Sequence, residues 1–194
     1  GVGFYGCRGG DVLAEDEPAG NDFLARLSVD WESEALRAAE KGARVVLMRL
    51  GVVLGVGGGA LAQMIPAFGR FVGGPIGNGR QWFPWIHLDD LTAAVNFLLE
   101  HPEISGPVNF CSPNPVTNRD LAAALGKVLN RPAFMPAPAF MVRMALGEFA
   151  EVLLGSQRAM PRKLQEHRFR FLYPDLTAAL QAVVREAEIG RAHV

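Results

Sequence analysis

Polar and apolar positions alternate along this chain in two periods, and the switches between them predict the elements. Residues Asp22–Gly42, DFLARLSVDWESEALRAAEKG, set Phe23, Leu24, Leu27, Trp31, Ala35 and Ala38 near helical spacing and stop at glycine. ARVVLMRLGVVLG, Ala43–Gly55, is a β-branched run of the kind a doubly buried strand carries. A glycine-rich loop, a short helix and a second loop follow through Val56–Arg80. QWFPWIHL (Gln81–Leu88) reads as extended, and DDLTAAVNFLLEHP (Asp89–Pro102) as a helix with Asp89 and Asp90 capping its start. GPVNFCSPNPV (Gly106–Val116) is a strand ending in a proline-bounded turn. Thr117 and Asp120 form an acidic capping box that opens a helix with Leu121, Leu125, Val128 and Leu129 on one face. PDLTAALQAVVREA, Pro174–Ala187, is a closing amphipathic helix. Strands alternating with helices predict an α/β fold.

Composition narrows the function classes. Hydrophobic residues make up 49% of the 194 and charged residues 20%, which excludes a disordered chain. The 19 cations nearly balance 20 anions, so no basic stripe is available for a nucleic-acid backbone. Arg143, Glu148 and Glu151 interrupt the longest apolar stretches, so no membrane partner is expected. Cys7 and Cys111 fit free thiols of a reducing cytoplasm, and the four histidines lack metal-ligand spacing.

Three stretches carry candidate chemistry. Gly55-x-Gly57-x-x-Ala60 has the outline of a dinucleotide fingerprint, yet no acidic residue follows about 20 positions on and no Walker lysine is present. A loop at the mouth of a cleft is the better reading. GNGRQWFPWIHLDD crowds two tryptophans, Arg80, His87 and two aspartates together. His87 with Asp89 is either an acid–base pair or a strand-ending histidine bonded to nearby backbone, and the second is the plainer reading. The Met- and Phe-rich segment 134–149 fits core, or the wall of an apolar pocket.

The two ends stand apart. GVGFYG reads as the exit of a strand already under way, and Glu188–Val194, EIGRAHV, matches the translation of a common sequencing adapter. The chain is accordingly expected to be a fragment with a non-native tail at 188–194, and by itself to fold poorly and bind no dinucleotide, because its first strand would leave an apolar edge exposed.

In order, GVGFYG, WESEA, VVLMRLGVVLG, GNGRQWFPWIHLDDLTAAV and GPVNFCSPNPVTNRDLAAAL resemble the extended short-chain dehydrogenase/reductase superfamily, and within it the epimerase-family branch with a C-terminal domain of unknown function. GGALAQMIPAFGRFVGGPIGNGRQWFPWIHLDDL and LLGSQRAMPRKLQEHRFRFLYPDLTAAL carry that resemblance furthest, which spans residues 1–186. It implies the second half of a Rossmann-type parallel sheet in residues 1–112, then a small, mostly helical C-terminal domain in 113–187. It also implies an NAD or NADP cofactor, NADP favoured, with Val52 and Val53 against the dinucleotide, and a small-molecule substrate met by Arg80, Trp85 and His87.

The family's Tyr-x-x-x-Lys pair, in which lysine lowers the tyrosine pKa for proton transfer, would fall at Leu24 and Ser28, and its hydroxyl residue near Gly1. The arginine that meets sugar-nucleotide phosphate would fall near Phe83. The resemblance therefore implies an NAD(P)-binding oxidoreductase lacking the usual proton relay, with His87 and Asp89 the remaining candidate pair. The alternative is an inactive dinucleotide-binding sensor or interaction protein.

Overall fold

A computed structural model describes residues 1–147 and 150–192. The long apolar run becomes two strands, β2 (Val46–Leu50) and β3 (Val52–Leu54), separated at Gly51. Glycine is required at the junction, where the chain changes partners: a Cβ on Gly51 would stand 2.9 Å from the Pro84 carbonyl oxygen. β2 pairs in parallel with β6 (Gly106–Phe110), from Val46 opposite Gly106 to Leu50 opposite Phe110. β3 pairs in parallel with β5 (Trp85–His87). The Rossmann-like parallel sheet expected from the sequence is present.

Helices cover both faces. α3 (Leu88–Glu100) packs Ala94 and Leu98 with Ile86, Val108 and Phe110. On the other face Leu54 and Trp85 meet Leu61 and Phe68 of α2 (Gly59–Gly69), Leu121 and Leu125 of α4 (Asn118–Val128), and Leu176 and Leu180 of α8 (Leu176–Ala192). This cluster draws on residues from both sides of the expected boundary at 112/113, so the two regions share one core. The remaining elements are short: β1 (Val12–Leu13) pairs in parallel with β8 (Arg158–Ala159), and β4 (Trp82–Phe83) pairs antiparallel with β7 (Val116–Thr117). α5 (Ala139–Leu146), α6 (Ala150–Leu154) and α7 (Arg162–Glu166) complete the C-terminal region.

Several local expectations change. Val2–Tyr5 is a 3-10 turn closed by Gly6 at φ +64°, not the end of a strand. In α1 (Phe23–Leu36) the helix forms under an Asp22 cap, but Phe23 and Trp31 are 69% and 67% exposed, so that apolar stripe is not core. The Met- and Phe-rich segment is likewise at the surface, with Phe134, Phe140, Met141 and Met144 all exposed; Glu148 and Phe149 lie outside the described residues. The α4 capping box is present as read. α8 runs on through Ala192, across the start of the expected tail, and His193 and Val194 lie outside the described residues. No helix of the described residues is long and apolar enough to cross a membrane, and no three metal-ligating side chains cluster among them.

Candidate functional site

Arg49 interrupts the apolar β2 run, and a buried guanidinium must be paired to persist. It is 4% exposed. Its Nε and Nη2 each donate to a Glu32 carboxylate oxygen at 2.8 Å, the two-pronged geometry that suits arginine best. Nη1 donates to the Tyr5 hydroxyl at 3.0 Å and the Glu15 carbonyl at 3.2 Å, and the guanidinium lies 3.4 Å over the Phe4 ring. Tyr5 in turn donates to Asn109 Oδ1 at 2.7 Å, and Asn109 Nδ2 donates to the carbonyls of Leu13 and Met160. One network thereby ties α1, the 3-10 turn, β2 and β6 together. Burial alone would lower the Arg49 pKa, but its bonds to Glu32 and Tyr5 leave it raised. Burial pushes Tyr5 up to about 12, against the opposing pull of Arg49. Sequence reading passed over this network; the available signal was the lone charge inside an apolar strand.

The structure brings part of the expected relay region together. A Cβ on Gly3 would stand 3.6 Å from Leu24 Cβ, and one on Gly1 would stand 3.5 Å from the Leu50 carbonyl oxygen. The start of α1, the chain's first turn and the end of β2 thus meet, but Leu24 and Ser28 carry neither phenol nor amine. Tyr5 is no substitute, because a phenol shifted upward by burial stays protonated at neutral pH. Val52 and Val53 are half-buried on β3, opposite Trp85 and Ile86, and the Val52 N–H donates to the Pro84 carbonyl at 2.7 Å.

β5 sends its side chains inward, which corrects the expectation that Trp85 and His87 face the cleft. Trp85 is wholly in the core with its indole N–H unpartnered, because packed side chains cover both faces of β5. His87 is buried too, its ring 4.0 Å from that of Tyr173. His87 Nδ1 accepts the Asp89 N–H at 3.1 Å, so the imidazole, not either aspartate, is the side-chain cap of α3. That bond leaves the neutral ring's proton on Nε2, which is buried and unpartnered. Asp89 is exposed, with one oxygen 3.6 Å from Nδ1. Asp90 is 0% exposed and accepts the Leu172 and Tyr173 N–H groups at 2.6 and 3.0 Å, clamping the C-terminal segment onto the start of α3.

Of the three expected substrate residues, Arg80 lines two surface cavities. The loop carrying it separates the two, of about 510 and 530 Å³, and Gly77, Asn78 and Arg80 line both. The first also takes in Trp82, Arg143 and Ser156; the second takes in Arg119, Ala133, Phe134 and Pro136. Gly55–Gly58 borders neither, so the glycine-rich turn does not form the mouth of these cavities.

Comparison with known proteins adds a family. The NAD dependent epimerase/dehydratase family matches residues 20–110, and a domain of unknown function, DUF1731, matches residues 137–183. The chloroplastic epimerase family protein SDR39U1 homolog of Arabidopsis thaliana is 45% identical over 184 residues, covering 95% of this chain and 53% of that protein. Epimerase family protein SDR39U1 of Mus musculus is 43% identical over 186 residues, covering 95% of this chain and 63% of that protein. The crystal structure of human epimerase family protein SDR39U1 (isoform 2) with NADPH superposes with a TM-score of 0.87 at 36% identity, over 97% of this chain and 63% of that one. A dTDP-glucose 4,6-dehydratase from Bacillus anthracis with NAD, 17% identical at a TM-score of 0.72 over 98% of this chain and 60% of that one, shares the fold. The chain spans 53% to 63% of the length of the three epimerase family proteins.

Proposed function

This chain belongs to the NAD-dependent epimerase/dehydratase family, in the branch that carries the C-terminal domain, and we propose that it contributes the substrate-facing wall of an NADP(H)-binding oxidoreductase. The observation that carries the reading is the likeness to the human relative whose structure contains NADPH. The residues present fit one wall of such a site. Gly51–Val53 are half-buried and follow directly on the carboxyl end of β2, and ligands of open α/β sheets lie at strand carboxyl ends. When bound, the cofactor supplies or accepts hydride. The Val52–Val53 backbone lines its site, and Arg80, held on a loop, orients substrate.

Proton handling has to differ from the family's usual route. With Leu24, Ser28 and Gly1 at the relay positions, no side chain there can pass a proton. Absence of a positioned acid–base group costs about 10²–10⁴-fold in rate. The same observation favours a second reading, a dinucleotide-binding sensor without turnover. Titrating the whole protein that carries this chain with NADPH and following nicotinamide fluorescence tests the shared premise: saturable binding supports it, and none overturns it; this chain alone, one wall of the site, should bind none. Cofactor oxidation across a panel of carbonyl compounds then separates the two readings. Leu24→Tyr with Ser28→Lys should preserve cofactor binding and raise turnover if the route is only missing its relay. His87→Ala should leave the rate per folded molecule unchanged, since Nδ1 is committed to the α3 cap; a fall beyond tenfold at normal stability would return the imidazole to the chemistry.

A further inference from the structure

The second cavity has the chemistry of an organic-acid site. Its described lining residues include two arginines and no carboxylate, in a chain whose anions outnumber its cations. Neither guanidinium is in an ion pair among the described residues: Arg80 is exposed, and Arg119 donates through Nη2 only to the Asn78 carbonyl, at 3.0 Å. Arg143 in the first cavity differs, since its Nε already donates to Glu151 at 2.9 Å. The second cavity is thus lined by two arginines outside any ion pair, Arg80 being shared with the first.

The two arginines are also held in register. The Arg119 N–H donates to the Gly79 carbonyl and the Asn118 N–H to the Gln81 carbonyl, both at 2.9 Å, so the residues flanking Arg80 close off the first turn of α4. Asn118, 4% exposed, accepts the Ile76 N–H through Oδ1 at 2.7 Å, and Gln81 Nε2 donates back to the Ile76 carbonyl at 3.0 Å. Gly79 sits at φ +70°, and a Cβ there would stand 2.9 Å from Pro75 Cβ and 3.1 Å from Arg119 Cβ. Only glycine allows so close an approach with that backbone. Ala133, Pro136 and the largely exposed Phe134 supply the apolar part of the lining.

We propose that this cavity binds a small organic acid, its carboxylate or phosphate on Arg80 and Arg119 and its apolar body against Phe134 and Pro136. Planar guanidinium forks match either oxyanion, and the loop holds both arginine backbones in place before the ligand arrives. If the cleft is the substrate cleft, this deepens the oxidoreductase reading by naming an acidic, partly apolar substrate; binding itself is independent of cofactor.

Calorimetric titration of the protein with hexanoate, hexyl phosphate and hexanol, without nucleotide, tests it. At least one acid should bind saturably and hexanol should not, and the stronger acid identifies the head group. Arg80→Ala and Arg119→Ala should each weaken that binding about ten- to a hundred-fold, the range for a lost charge-assisted hydrogen bond, while Arg143→Ala leaves it unchanged. Unfolding midpoints of the variants guard against misfolding. Binding of neither acid, equal binding of hexanol, or affinity indifferent to Arg80 and Arg119 overturns the proposal. NADPH titration of the whole protein that carries this chain is read separately by nicotinamide fluorescence, so failure of the acid site and failure of the cofactor reading are distinguishable.

Discussion

Arg49 and Arg80 carry the same guanidinium into opposite surroundings. Arg49 is enclosed by Glu32, Tyr5, Glu15 and Phe4, with three of its nitrogens bonded to protein oxygen. Arg80 stands exposed on a loop whose backbone is bonded on either side, with its charged head unpaired among the described residues. In the first case protein polar groups replace water around the charge, so it serves cohesion. In the second the backbone is ordered and the charge is left for something else. An exposed guanidinium on an ordered backbone keeps its hydrogen-bonding capacity for a ligand, whereas an enclosed, fully paired one is committed to the fold.

The comparison breaks most visibly at Arg49. Arg49→Met leaves Glu32 without its cation in a site only 17% open to solvent, and unfolding in urea should register a loss of about 3–5 kcal/mol. Adding Glu32→Leu should recover a substantial part, since no unpaired charge then remains; failure to recover would mean that packing dominates, not pairing.

A pH series probes the same joint. The folded-state pKa of Tyr5 is about 12 against an ordinary 10, so the folded state holds the phenolic proton more tightly. That contribution is complete below pH 10 and is lost as pH rises from about 10 to 12, totalling about 2–3 kcal/mol. Unfolding midpoints of the parent and Tyr5→Phe across this window should converge with rising pH. Parallel curves would remove Tyr5 as the cause.

Gly79→Ala moves the test to the loop. The positive φ and the contacts with Pro75 and Arg119 predict a loss of about 1–2 kcal/mol together with weaker acid binding, because the arginine backbones are pushed apart. Smallest in stability is Arg80→Ala, expected within about 0.5 kcal/mol of the parent by the same unfolding assay. A stability loss of Arg49 size would show that Arg80 is structural after all.

What sequence alone determined follows from local physics. The period of apolar residues decides helix or strand, a cap is written in residues three apart, and α/β alternation sets the parallel architecture. α4 with its Thr117–Asp120 box and the β2–β3 run therefore lay where the pattern put them, save for the break at Gly51. Order of motifs also carried the resemblance to the family. Tertiary structure alone decided which side chains are free. Trp85 and His87 look like the lip of a pocket in the sequence, but β5 is covered on both faces and turns them inward. Phe23 and Trp31 lie at helical spacing in the sequence, and only the fold leaves both largely exposed. The Arg49 joint and the Arg80–Arg119 pair each join residues distant along the chain, through hydrogen bonds that exist only once strands, turn and helix have met.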